Sequence, residues 1–310
     1  MSGLASDILD RIGSTALVPL RRLAPEDGAR VLLKLEDSNP TGSMKDRMAL
    51  AMIEAAEADG RLKPGATVVE YTGGSTGVSL ALVCAVKGYR LRIVTSDAFA
   101  REKLEHMSAL GAELTVIASD GGGMTARLTR DMIEAARAIA RETSGFWTDQ
   151  LNNADQMTAY RRVARELWDQ TGGRIDGFVQ SVGTSGSFRG AGEALRVLAG
   201  DADPGLRLVA VEPAESAVLS GRKSGAHRID GIGVGFVAPL WRADLPDRIA
   251  RVSTEQAQAM ARRLAREEGL FGGTSTGANV VAALELACEL GPDATVVTIL
   301  CDTGMKYLSR

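Results

Sequence analysis

Short apolar runs alternate with segments of helical period almost from end to end of the chain. Val31–Glu36, Thr67–Tyr71, Arg90–Thr95, Glu113–Ala118, Gly177–Val182, Arg207–Glu212 and Thr295–Leu300 read as strands. Between them, helical spacing runs from Met44 through Glu57 and over Val78–Lys87, Phe99–Leu110, Thr125–Glu142, Ala154–Gln170, Phe188–Leu198, Gln256–Glu268 and Ala278–Leu290. Strands and helices in alternation predict an α/β protein with largely parallel sheets. In Thr125–Glu142 charged and apolar residues alternate as on a surface helix. Gly121–Gly123 reads as a flexible connector, and the glycine-rich stretch Ser220–Pro239 as a long functional loop. A junction between two lobes is placed near Phe146–Asn153.

Composition narrows the class. The chain has 310 residues, 45% of them hydrophobic and 24% charged, which is enough apolar material for a soluble globular protein in two lobes. A formal net charge of -3 without a long basic run argues against nucleic acid as a partner. Asp7, Asp10 and Arg11 interrupt the first twenty residues, which therefore read as neither signal peptide nor membrane anchor. No apolar run is long enough to span a bilayer. Cys84, Cys288 and Cys301 have no metal-binding spacing and are too few for a disulfide framework, so no metal is expected and a reducing cytoplasm is. His106 and His227 are the only histidines, which leaves little for histidine-based catalysis.

Candidate chemistry begins at Asn39–Arg47, Asn-Pro-Thr-Gly-Ser-Met-Lys-Asp-Arg. Pro40 and Gly42 make a turn, Ser43 reads as a helix N-cap, and Asp46 completes a variant capping box. Lys45 then falls in a helix's first turn, where the macrodipole disfavours an ammonium and suits a lysine that reacts as a free amine. A solvated lysine answered by Asp46 is the plain alternative. Three further loops, Thr72–Gly77, Gly183–Ser187 and Gly273–Gly277, share Gly, Ser and Thr, and each leads into a helix. Such loops cradle phosphates or carboxylates through free N–H groups and hydroxyls. Two other readings use the same residues. Gly73–Gly77 and Gly273–Gly277 match the Gly-x-Ser-x-Gly elbow of serine hydrolases, with His106 or His227 as partner to Ser75. Gly183–Gly190 with Glu212 has the acid spacing of a dinucleotide site, but Ser185 stands where its second glycine must be.

As a set, from Ile12-Gly13 to Tyr307, these residues resemble the cysteine synthase and cystathionine β-synthase family of fold-type II pyridoxal-phosphate enzymes. The resemblance implies two lobes, each an open, mostly parallel sheet flanked by helices. Residues 42–150 would form the smaller, substrate-loop lobe; residues 1–41 with 151–310 would form the larger lobe that binds the cofactor phosphate. It implies pyridoxal 5'-phosphate on Lys45. Gly183, Thr184, Ser185, Gly186 and Ser187 would be its phosphate cup, Ser75 would lie near its 3'-oxygen, and Ser275 would face its ring nitrogen. Thr72, Gly73, Gly74, Thr76 and Gln150 would hold the substrate carboxylate, with Gly231 in a loop near the cofactor. The implied reaction is β-replacement, O-acetyl-L-serine plus sulfide giving L-cysteine and acetate, in a cytoplasmic homodimer. Cystathionine β-synthase, or another β-elimination or β-replacement enzyme on a serine derivative with sulfide or a thiol, is the alternative.

The chain departs from the family pattern at defined places. Ser75 replaces an asparagine and Gly73 a serine in the substrate loop. Ser14 and Ala16 replace an asparagine and a proline near the start, and Cys301 stands where proline is common. The loop changes bear on substrate identity more than on cofactor binding.

Overall fold

The computed structural model describes residues 4–119, 125–200 and 205–308, so the connector expected at 121–123 lies outside the described residues. The chain divides into two compact units, Met1–Ile12 with Asn39–Gln156, and Gly13–Ser38 with Met157–Arg310. Residues up to Ile12, expected with the larger lobe, belong to the first unit, because the short helix Ile8–Arg11 packs against the helix Ser75–Lys87.

The second unit holds a six-stranded sheet. In chain order its strands are β1 (Leu17–Pro19), β2 (Arg30–Leu35), β7 (Gly177–Ser181), β8 (Arg207–Pro213), β9 (Arg248–Val252) and β10 (Thr295–Leu300), with spatial order β1-β2-β10-β7-β8-β9. Only β1 runs antiparallel to its neighbour. The register of β10 against β2 pairs Thr295 with Arg30 and Leu300 with Leu35. Val31, Leu33, Val296 and Leu300 are buried with residues of α8 (Thr274–Leu290) in one core. Each such side chain contributes about 1.5–3 kcal/mol relative to exposure. α6 (Gly186–Ala199) packs on β7 and α7 (Thr254–Arg263) on α8, while α5 (Gln156–Gln170) precedes β7 in the chain.

The first unit holds a parallel four-stranded sheet of β3 (Thr67–Tyr71), β4 (Arg90–Ser96), β5 (Glu113–Ile117) and β6 (Phe146–Trp147), ordered β5-β4-β3-β6. Every residue of β3 is buried, as a central parallel strand requires. Its helices are α1 (Lys45–Ala58), α2 (Ser75–Lys87), α3 (Arg101–Ala109) and α4 (Ala126–Glu142). The 3.6-residue period of α4 resolves into Leu128, Met132, Ala136 and Ile139, which bury against Val69, Tyr71 and Val94. At the end of α2, Gly88 takes φ 76°, a left-handed C-cap that glycine adopts without a steric cost.

Candidate active site

Asn39–Arg47 folds as a turn followed by a helix. The Gly42 N–H donates to the Asn39 carbonyl at 2.7 Å, with Gly42 at φ 73°. α1 begins at Lys45, so the lysine does sit in the first turn. The expected capping box is corrected. The N-cap position is Met44 rather than Ser43 and carries no side-chain cap bond; Ser43 Oγ accepts from the Lys45 N–H at 3.2 Å, and the Asp46 carboxylate bonds to Thr41 and Ser79. The Asp46 carboxylate is fully buried and accepts from the Thr41 N–H at 2.7 Å, from Thr41 Oγ1, and from Ser79 Oγ at 2.6 Å. A buried carboxylate needs strong donors, and Thr41 and Ser79 supply them. The lysine's turn is thereby tied to the preceding loop and to α2.

Thr72–Gly77 spans the end of β3 and the first turn of α2. The helix starts at Ser75, three residues earlier than its hydrophobic pattern indicates. Thr72 still belongs to the sheet edge, its N–H donating to the Val94 carbonyl at 2.9 Å, while its Oγ1 accepts from the Gly74 N–H at 3.1 Å. Thr76 Oγ1 donates to Gln150 Oε1 at 2.8 Å, which joins two residues that lie 74 positions apart. Gly73 has a structural cause. A Cβ there would fall 1.8 Å from Cγ of Phe99, so the ring fills the space where the family's serine side chain begins.

In the second unit, Gly183–Ser187 links β7 to α6. A Cβ on Gly183 would lie 2.4 Å from the Gly231 carbonyl oxygen, so only glycine lets these two strands of backbone approach. Ser185 is the N-cap of α6 at φ 72°, a left-handed conformation that costs a non-glycine residue roughly 1–2 kcal/mol. Its hydroxyl is buried and has no hydrogen-bond partner. Ser187 Oγ accepts from Gln180 Nε2 at 3.2 Å. No lysine or arginine lies within the cup. Backbone N–H groups at a helix N-terminus, hydroxyls and an unsatisfied buried oxygen make a donor set that suits a phosphate monoester, so the residues fit the cofactor.

Gly231, at φ 80°, lies in a loop between the cup and α8. The Gly233 N–H donates to the Val182 carbonyl at 3.0 Å, and the Asp230 N–H to Thr274 Oγ1 at 2.9 Å. Ser275 is buried in the first turn of α8. The Gly273 N–H donates to the Asp302 carbonyl at 3.1 Å, and Tyr307 OH to Asp302 Oδ2 at 2.6 Å, so the chain's last motif braces this helix start. Burial, reinforced by Asp302 and Asp230, holds the Tyr307 hydroxyl well above its ordinary pKa.

The competing assignments lose their groups to local structure. Glu212 accepts from the Leu219 and Ser220 N–H groups at 2.8 and 3.1 Å and from Ser220 Oγ, so its carboxylate folds its own loop. The His227 ring is held by the Gly233 carbonyl at 2.9 Å and the Ile229 N–H at 3.3 Å. Cys301 is a small buried side chain, with Sγ 3.4 Å from Asn279 Nδ2. Burial alone pushes the Cys84 thiol up to about 12.

Sequence reasoning missed Glu70, Thr148 and Phe99. Glu70 was legible as an acid inside the apolar run Val68-Val69-Glu70-Tyr71, a pattern that predicts a buried charge with dedicated partners. Phe99 meets Gly73 only through the tertiary fold.

Residues 8–302 match the family described as pyridoxal-phosphate dependent enzymes, and the chain belongs to that family, with the α/β architecture of fold-type II. Among curated relatives, cysteine synthase of Staphylococcus aureus strain Mu50 is 39% identical over 98% of this chain and 95% of its own length. Among solved structures, cysteine synthase from Entamoeba histolytica superposes with a TM-score of 0.91 at 36% identity, covering 99% of this chain and 90% of that one. An O-ureido-L-serine synthase gives the same TM-score at 37% identity, covering 99% and 95%.

Proposed function

We propose that this chain is a cysteine synthase, replacing the acetoxy group of O-acetyl-L-serine by sulfide to give L-cysteine and acetate. The observation that carries the reading is the 39% identity to the S. aureus cysteine synthase across 98% of the chain, with Lys45 and all three glycine-rich loops in place. Lys45 holds the cofactor through Nζ. Gly183, Thr184, Ser185, Gly186 and Ser187 bind its phosphate by N–H and hydroxyl groups, without a fixed cation. Ser275 would face the ring nitrogen and leave it largely uncharged, and Ser75 would lie towards the 3'-oxygen. Bound pyridoxal phosphate supplies a sink for the electron pair released at the substrate Cα.

Thr72, Gly73, Gly74, Thr76 and Gln150 seat the substrate carboxylate, and Gly231 closes on the cofactor side. Lys45, displaced as a neutral amine, removes the Cα proton while the Cβ–O bond breaks and acetate leaves. Hydrosulfide then forms the new Cβ–S bond, and Lys45 returns the proton to Cα. Acetate leaves more readily than hydroxide, and no carboxylic acid among the proposed site residues is placed to protonate a departing hydroxyl. O-Acetylserine is therefore the preferred donor over serine.

Reduction of the yellow protein with borohydride should fix the cofactor on Lys45. Turnover of O-acetylserine with sulfide should exceed that of serine with homocysteine. The opposite ranking would make cystathionine synthesis the activity, and a colourless protein that cannot be reconstituted would remove both. The same reading makes the protein a cytoplasmic homodimer. It accords with three cysteines that are all free and with a fold in which, among the described residues, no helix is long and apolar enough to cross a membrane. Light scattering and cell fractionation check the two statements.

A further inference from the structure

Glu70 is fully buried in the central strand of the first unit's sheet, where an aliphatic side chain would pack without desolvating a charge. Three donors converge on its carboxylate. They are the Tyr71 N–H at 2.8 Å, Thr148 Oγ1 at 2.6 Å and the Gln150 N–H at 3.0 Å. The last two lie where the sheet ends. β6 pairs with β3 only at Phe146 and Trp147, and the Thr148 N–H makes the final bond to the Val69 carbonyl at 3.0 Å. Beyond that point the Glu70 carboxylate takes over from backbone pairing. Asp149, between its two anchors, is held at φ 45°, a conformation that a free loop would abandon.

Gln150 is in consequence aimed at both ends. Its main-chain N–H is fixed by Glu70, and its carbonyl accepts from Gln156 Nε2 at 2.6 Å. Its side-chain amide can be oriented in only one way. The Tyr71 carbonyl, 3.3 Å from Nε2, is an acceptor only, so Nε2 faces it and Oε1 takes the proton of Thr76 Oγ1. One N–H of Nε2 is spent on Tyr71, and the direction of the second is set by the first. Tyr71, Thr76 and Gln150 are thus locked into one donor geometry by a single buried acid beneath them.

We propose that Glu70 is a positioning residue, which aims the second N–H of Gln150 at the carboxylate of the amino-acid substrate. The inference rests on the proposed role of Gln150 in carboxylate binding. Burial pushes the Glu70 carboxyl up to about 7 against the pull of its three donors, with Asp149 acting in the same sense as burial, so the acid is held at a cost that function explains and packing does not.

The test uses the holoenzyme and two unreactive ligands that differ only in the carboxylate, L-2-aminobutyrate and propylamine, with binding measured by titration calorimetry. Wild type should prefer aminobutyrate strongly. Glu70→Gln should cut that preference about ten-fold, the loss of one charge-assisted hydrogen bond, and leave propylamine within about two-fold. Thr148→Val, which removes one donor and keeps the shape, should cut it about three-fold. Amide hydrogen exchange at Gln150 should quicken at least about ten-fold in Glu70→Gln, with or without cofactor. If Gln150→Ala abolishes the preference but Glu70→Gln and Thr148→Val leave it intact, Glu70 is structural and the inference fails alone. If Gln150→Ala itself keeps the preference, the carboxylate role of Gln150 fails and takes the inference with it. Should Glu70→Gln not fold, Thr148→Val decides: an unchanged preference overturns the proposal.

Discussion

The loops at 72–77 and 183–187 have the same composition and the same setting between strand and helix, yet they solve opposite problems. In the first, the protein satisfies its own polar groups: Thr72 with Gly74, Thr76 with Gln150, and Gln150 with Glu70. In the second, Ser185 is strained and its buried hydroxyl is left unpaired. A site for a resident group can leave a donor waiting, because occupancy is the normal state. On the proposed roles, a loop for a ligand that comes and goes keeps its donors partnered, the second Nε2 N–H of Gln150 excepted, so that emptiness costs little. The difference lies in hydrogen bonds and backbone angles, not in residue type.

The largest test of this contrast is Gly183→Ala. Its Cβ would press on a backbone carbonyl that cannot swing aside, so we expect cofactor affinity to fall at least about a hundred-fold, measured by titrating apoprotein. Next comes the pH dependence of Glu70. Its folded pKa, about 7, lies above the ordinary 4.5 because of burial. The stability it contributes is therefore fully present below about pH 4.5 and is lost as the pH rises through about 7, roughly 3 kcal/mol in all. Urea unfolding at pH 5 and pH 8 should show that fall in wild type, and a smaller one in Glu70→Gln.

Gly73→Ser must displace the Phe99 ring and should cost about 1–3 kcal/mol, recovered in part by adding Phe99→Ala. Additive losses in that double-mutant cycle would show that the two residues do not share the space. Ser185→Gly separates strain from binding. Apoprotein stability should rise by about 1 kcal/mol as the left-handed serine is relieved, while cofactor affinity drops a few-fold. The smallest effect is expected at Ser75. Ser75→Ala should keep its cofactor within about ten-fold and lose mainly rate, since a neutral hydrogen bond is worth about 0.5–1.5 kcal/mol.

Much of this is legible in the sequence. β3 and β10 fall on the residues that the apolar runs indicate, because strands buried on both faces announce themselves. Lys45 lies in a first turn as expected. β6 escaped notice with only two residues, and β9, Arg248–Val252, because Arg248 and Arg251 interrupt its short apolar pattern. Asp46 was misread because a local motif predicts local bonding, whereas its carboxylate is claimed by Ser79, 33 positions away. The packing of Phe99 on Gly73 has no sequence signature at all.

The placement of β10 has a consequence for how the protein is made. This strand is the last in the chain, yet it lies between β2 and β7 and pairs with residues near the start. While the chain is synthesised, β2 can pair with nearby β1, but its other edge must wait for a partner some 260 residues away, and the cost of closing so long a loop is met only at the end. The sheet of the first unit, by contrast, is contained in residues 67–147 and can close while the rest is still being added. Protease challenge of ribosome-bound chains stopped near residue 200 should find Thr67–Trp147 protected and Arg30–Leu35 open. A newborn molecule would then hold a finished 72–77 loop while the last third of the chain is still being added, and would complete the sheet that carries the 183–187 loop only when the final strand slides into its centre.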